Sequence, residues 1–159
     1  MIQGARYVHT NLVARDWRSL AGFYNRVFGC EPVPPERDLA GQWLQDCTAV
    51  SGARIRGIHL RLPGVSGPTL EIFEYDQKLE KSPAKSNREG FRHIAFHVQD
   101  VEGARREVIA AGGREVGKLV TTEVPGAGLL TVVYVTDPEG NIIELQQWRH
   151  TEPERTSHE

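Results

Sequence analysis

His9 and His93 each open an apolar stretch, Val8-His9-Thr-Asn-Leu-Val-Ala-Arg-Asp16 and Arg92-His93-Ile-Ala-Phe-His97-Val-Gln-Asp100, and in both an Asp follows the His seven residues later. Glu71 and Glu144 form a second matched pair. Gly67-Pro-Thr-Leu-Glu71-Ile and Gly140-Asn-Ile-Ile-Glu144-Leu each place a Glu four residues after a turn Gly. A carboxylate inside an apolar strand is costly to bury unless a cation or hydrogen-bond donors receive it. Side chains alternate along a strand, so Glu71 points away from Leu70 and Ile72, and Glu144 away from Ile143 and Leu145. Two imidazoles and two carboxylates converging in a cavity suit one divalent metal ion. Taken singly, each of the four reads as an ordinary residue on a solvated sheet face. The duplicated spacing is what joins them.

Those residues need elements to carry them. Tyr7 to Val13 reads as a strand, and Asp16 caps a helix over Trp17 to Phe28, where Leu20, Phe23, Tyr24, Val27 and Phe28 recur at helical spacing. Gly29 supplies its stop. Residues 31–53, with Pro32, Pro34, Pro35, Gly41 and Gly52, read as irregular, with a short strand around Trp43, and suit a plain surface loop first and a rim or lid over the site as the alternative. Arg56 to Leu62 and Thr69 to Tyr75 form a hairpin about Pro63-Gly-Val-Ser-Gly-Pro68. In the second half His93 to Val98 is a strand, Asp100 caps a helix to about Ala111, and Gly112-Gly113 ends it. Glu115 to Val120, Leu129 to Thr136 and Asn141 to Trp148 then read as strands.

Setting His9 on His93 runs without a gap to Glu31 on Glu115, with identities at His9/His93, Asp16/Asp100, Gly29/Gly113 and Glu31/Glu115. These mark the strand start, the helix cap, the helix stop and the exit from the helix, as expected of an internal duplication. The expected organisation is a first βαβββ module over 1–76, a polar linker over 77–90, a second βαβββ module over 91–149 and a polar tail over 150–159. Thr69, Glu71, Phe73 and Tyr75 share one strand face, and Ile142, Glu144, Gln146 and Trp148 share another. Asn11 lies on the face of His9, and His97 on the face of His93. Asn11, Phe73, Tyr75, His97, Gln146 and Trp148, with Trp43, are the candidate substrate contacts. Arg54, Arg56, Arg61 and Arg92 read as surface charges, with an anionic substrate as the alternative.

Hydrophobic content of 39%, charged content of 25% and a net charge of −2 describe a globular chain with no basic patch for nucleic acid. No apolar run approaches the ~20 residues that span a bilayer, and no signal-peptide pattern opens the chain. A cytoplasmic location without membrane or nucleic-acid partners is therefore the expectation. Cys30 and Cys47 are too few for a disulfide framework and read as reduced.

From residue 5 to residue 149 the sequence resembles the vicinal oxygen chelate superfamily of glyoxalase I, methylmalonyl-CoA epimerase, fosfomycin and bleomycin resistance proteins and extradiol dioxygenases. The stretches that carry the likeness are the His9 strand with Trp17 to Gly29, Gly90-Phe-Arg-His93-Ile-Ala-Phe, and Asp137-Pro-Glu-Gly-Asn-Ile-Ile-Glu144-Leu. The resemblance implies an α+β fold of two tandem βαβββ modules curling into an open, barrel-like mixed sheet with helices outside. By matching position it implies His9, Glu71, His93 and Glu144 as metal ligands, and a homodimer. Whether modules pair within one chain or across two is left open.

Four ligands resemble the glyoxalase I and epimerase branches more than the dioxygenases, which offer two His and one Glu. The expected function is thus a glyoxalase-like lyase or isomerase moving a proton beside a metal-chelated carbonyl of a small molecule, with Glu144 or Glu71 as base. The ion is divalent, with Zn, Ni, Co, Mn and Fe undistinguished. The longer 31–55 segment and the lack of a glutathione-site pattern depart from glyoxalase I. Two alternatives stay open: an extradiol-dioxygenase-like oxidoreductase, and a non-catalytic drug-binding protein in which Trp43, Phe73, Tyr75 and Trp148 stack a planar ligand.

Overall fold

The computed structural model describes residues 1–83 and 85–150. The chain divides into two compact units, Met1–Ser82 and the part that begins at Pro83. Each is α+β, a mixed open sheet with one long helix. From residue 151 on, the expected polar tail lies outside the described residues.

The first unit runs β1 (His9–Val13), α1 (Trp17–Phe28), β2 (Glu31–Ala40), α2 (Gln42–Thr48), β3 (Arg54–Arg61) and β4 (Thr69–Tyr75). Its sheet order is β1-β4-β3-β2, with β1 parallel to β4 and the other pairs antiparallel. Asp16 starts α1 by accepting from the Arg18 and Ser19 N–H groups and from the Ser19 hydroxyl. Gly29, at φ 68, ends it in the left-handed region. Trp17, Leu20, Phe23 and Tyr24 are buried, and α1 packs on β3 and β4. Register assigns Ile58, Leu60, Leu70 and Ile72 to the helix side, since Glu74 on that same face of β4 accepts from the Trp17 N–H. Burying each such Leu or Ile stabilises the fold by about 2 kcal/mol relative to leaving it exposed.

Residues 31–53 are not irregular: β2 and α2 occupy most of them. Three prolines fit β2 because it is an edge strand, where a missing N–H costs no ladder bond. Its pairing with β3 breaks between Val33 and Arg37. Arg61–Glu31 and Arg54–Asp38 ion pairs tie its two ends to β3. Trp43 lies in a helix rather than a strand. The turn at Gly41 (φ 113) starts α2, and Leu44 drops into a cluster with Ala53, Ile55 and Phe73 while Trp43 stays exposed.

The second unit repeats the plan as β5 (His93–His97), α3 (Val101–Ala110), β6 (Arg114–Glu115), β7 (Val120–Val124), β8 (Gly128–Thr136) and β9 (Ile142–Arg149). Here β5 is parallel to β9, β9 antiparallel to β8, and β6 and β7 both pair with β8. The single strand expected over 115–120 is thus two short pieces of one interrupted edge. The Val116 and Gly117 N–H groups both reach the Tyr134 carbonyl, which forces the bulge. Asp100 caps α3 through the Gly103 N–H. Val101 and Val108 of α3 are buried, as are Val133, Val135, Ile143 and Leu145 of the strands it packs on.

Candidate metal centre

In the first unit β1, β4 and β3 lie side by side, and their register brings three residues level: Asn11 beside Glu71, and Glu71 beside His59. His9 sits two residues earlier on the face of Asn11. Glu71 is buried, 8% exposed, and its carboxylate is met from three directions. His59 Nε2 lies 2.8 Å from Oε2, Asn11 Nδ2 donates to Oε1 at 2.9 Å, and His9 Nε2 stands 3.7 Å from Oε1. On its far side His59 Nδ1 contacts the Thr69 hydroxyl at 2.8 Å. The His9 and His59 rings meet edge to face at 5.5 Å between centroids. One ligand atom each from His9, His59 and Glu71 lie within 4.8 Å of one another.

Burial pushes the His59 imidazole below its usual range, outweighing the pull of the neighbouring Glu71. It is therefore neutral at pH 7, the form that a metal ion accepts. Phe73 places its ring edge-on to His59 at 6.1 Å and continues into the cluster of Ile55 and Leu44, against which Tyr75 packs. One flank of the His59 ring is thus apolar.

In the second unit the same register puts Tyr134 opposite Glu144, and Ala95 on its other side. His93 Nε2 lies 3.2 Å from Glu144 Oε2, and the His93 and Tyr134 rings lie 5.1 Å apart. Burial raises the Tyr134 phenol, with the Glu144 charge and a hydrogen bond to Glu144 adding to the shift. Tyr134 is consequently a neutral donor to that carboxylate. Gln146 follows on the same face of β9 and accepts from the Trp148 indole at 2.6 Å. His97 is exposed on β5.

The two strand pairs His9/Glu71 and His93/Glu144 thus come together within their own units. His59 and Tyr134 are what sequence reasoning missed. The signal was there: both hairpins place the missed residue directly across from the Glu, and a fixed hairpin register would have identified it. Both edge strands also break beside these residues, β2 between Val33 and Arg37 next to His59, and β6–β7 next to Tyr134. The arginines of the first hairpin are occupied elsewhere, Arg54 with Asp38, Arg56 with Asp76 and Arg61 with Glu31.

Donor chemistry fits a divalent ion. Two ligands bound at about 2.1 Å lie about 3.0 to 3.5 Å apart when cis or tetrahedral, and the His–Glu separations of 2.8, 3.2 and 3.7 Å bracket that span. Imidazole and carboxylate together suit Zn, Ni, Co, Mn or Fe.

Two βαβββ units with a His on the first strand and a Glu on the last define a class of fold. The family model described as Glyoxalase/Bleomycin resistance protein/Dioxygenase superfamily matches residues 6–145, and the chain belongs to that superfamily. A glyoxalase family protein from Bacillus cereus is similar in structure, with a TM-score of 0.71 and 16% identity over 94% of this chain and 97% of that one. A glyoxalase/bleomycin resistance protein/dioxygenase family enzyme from Burkholderia phytofirmans PsJN has a TM-score of 0.58 and 18% identity, over 91% of this chain and 100% of that one. TioX from Micromonospora sp. ML1 has a TM-score of 0.50 and 19% identity over the same shares. No curated protein sequence gives a significant match. The superfamily includes enzymes, and its members usually bind a metal. No helix among the described residues is long and apolar enough to cross a membrane.

Proposed function

We propose that this chain is a divalent-metal-dependent lyase or isomerase that moves a proton beside a chelated carbonyl of a small molecule, with His9, Glu71, His93 and Glu144 holding the ion. The observation that carries this reading is the repeated His–Glu pair, one in each unit, at matching strand positions and at 3.7 and 3.2 Å. A bound divalent ion supplies a positive charge that stabilises the anion formed when a carbon next to a carbonyl loses its proton. The chain's own part is to place a carboxylate oxygen where it can take that proton and return it. Glu144 has the means, since Tyr134 and His93 hold its side chain while it stays only partly buried. Glu71, clamped by Asn11 and His59, is the other candidate. Phe73, with the apolar cluster behind it, packs against the His59 ring that holds Glu71.

Metal analysis of the purified full chain is the first test. About one ion per chain is expected, with most of it lost in His93→Ala; unchanged metal content in that variant overturns the ligand assignment. Deuterium exchange at the α-carbon of small hydroxy- and dicarbonyl compounds tests the reaction. Replacing the acting base by Gln, Glu144→Gln or Glu71→Gln, should slow exchange by about 10²- to 10⁴-fold. Exchange that survives both replacements removes the proton-transfer reading.

A further inference from the structure

His59 is not one of the four residues assigned above, yet the fold gives it the setting of a metal ligand. It is half-buried, its Nε2 is aimed at the Glu71 carboxylate at 2.8 Å, and its ring meets that of His9 edge to face. The atom that matters most is on the other side. Nδ1 lies 2.8 Å from the Thr69 hydroxyl. A ligating imidazole binds through one nitrogen and gives the N–H of the other to an oxygen, which fixes its tautomer and ring orientation. Without an ion Nε2–H donates to the Glu71 carboxylate. With an ion in that proton's place, Thr69 Oγ1 is positioned to accept from Nδ1–H and leave the Nε2 lone pair to the metal.

Position in the sheet adds a second argument. Strand register, not a flexible loop, sets His59 opposite Glu71 and Thr69 opposite Arg61 on the same hairpin. A site built on paired strands holds its donors to a narrower geometry than one built on loops. The equivalent residue of the second unit is Tyr134, whose phenol is kept protonated and serves as a donor. The two units therefore differ in what they can give an ion: two imidazoles and a carboxylate in the first, one imidazole and a carboxylate in the second.

We infer that His59 is a metal ligand through Nε2, so that the first unit alone presents a two-His, one-carboxylate set of His9, His59 and Glu71, with Thr69 orienting His59. This rests on the reading above that His9 and Glu71 face an ion, and it does not depend on His93 or Glu144.

The test uses full-length protein stripped of metal and titrated with Co(II), followed by visible absorption and by the paramagnetically shifted ring N–H signals of its histidines. His59→Gln should weaken Co(II) binding by more than about 100-fold, the upper end of what losing an outer-shell partner costs, and should remove one shifted ring N–H signal. Thr69→Val, which keeps every donor atom, should weaken binding by about 10- to 100-fold. Wild-type affinity in His59→Gln overturns the assignment. So does weakened binding with every shifted ring signal retained, because His59 would then only be holding Glu71 in place. Retention of Co(II) by His93→Ala counts against the four-residue set and leaves the His59 assignment standing, so the two readings fail separately.

Discussion

The two units share one strand plan but spend it differently around their carboxylates. Glu71 has His59, Asn11 and Thr69 at the positions across and beside it, and Glu144 has Tyr134, Ala95 and Ile142 at the corresponding places. The apolar side of each sheet, against α1 or α3, is alike in chemistry: Ile58, Leu60, Leu70 and Ile72 in one, Val133, Val135, Ile143 and Leu145 in the other. The two units are thus alike in what packs and differ on the opposite face. A packed face constrains volume and polarity at every position, whereas the open face constrains only those residues that must meet a ligand.

Even a shared residue can hold its place for different reasons, and this is where the comparison breaks most sharply. Gly29 and Gly113 align in sequence. Gly29 stands at φ 68 with nothing within 4 Å of where a Cβ would go, so its requirement is conformational. Gly113 has no positive φ; a Cβ there would lie 2.3 Å from the Thr136 carbonyl oxygen and 2.5 Å from Val108. The left-handed residue that ends α3 is instead Gly112, at φ 99. Gly113→Ala should therefore cost about 3 kcal/mol by overpacking, and Gly29→Ala about 1 kcal/mol by backbone strain. Urea unfolding of the two variants decides it; equal losses would mean that the aligned glycines do one job after all.

Much of this plan was legible in the sequence because periodicity and turn residues report on packing. The helix over Trp17–Phe28, the strand Thr69–Tyr75 and the strand that begins at His93 follow from apolar spacing, an Asp cap and Gly stops. The edges were not legible. Pro32, Pro34 and Pro35 argue against a strand by propensity, and only the tertiary fact that β2 is an edge, with ion pairs at its ends, makes them acceptable. Likewise nothing local in Val116-Gly-Lys-Leu119 shows that two N–H groups will share the Tyr134 carbonyl and split the strand. In the candidate centre, His9, Glu71, His93 and Glu144 emerged because they repeat. His59 and Tyr134 stayed hidden because they differ, and a repeat is found by what its halves have in common.

The caps of α1 and α3 also differ, by less. Asp16 accepts from two backbone N–H groups and the Ser19 hydroxyl, and these bonds hold its carboxyl below the usual range. Asp100 accepts from the Gly103 N–H. Asp16→Ala should cost about 1.5 to 2 kcal/mol and Asp100→Ala about 0.5 to 1 kcal/mol, the two ends of the range for N-cap loss. Thermal melts at neutral pH measure both. The comparison fails if Asp100→Ala proves the more damaging.

The smallest effect separates the units by pH. Three residues after each Glu, the strand ties itself to the entry of the helix: Glu74 accepts from the Trp17 N–H, and Gln147 donates to the Gln99 carbonyl. One link is a carboxylate and the other an amide. The hydrogen bond from Lys78, helped by that from Trp17, holds the Glu74 carboxyl below its ordinary 4.5. In acid the unfolded chain therefore takes up this proton before the folded one does. The link's contribution is complete above pH 4.5 and is lost as pH falls through the lower folded value. Because the ion pair is partly exposed, its worth is under about 1 kcal/mol. Glu74→Gln should lower stability by that amount at pH 7 and by nothing measurable at pH 3, so that urea curves of variant and wild type converge in acid. Gln147→Ala should cost the same at both pH values, since an amide does not titrate there. A Glu74→Gln deficit that persists at pH 3 would show that the side chain contributes by packing, and that the two links are equivalent despite their chemistry.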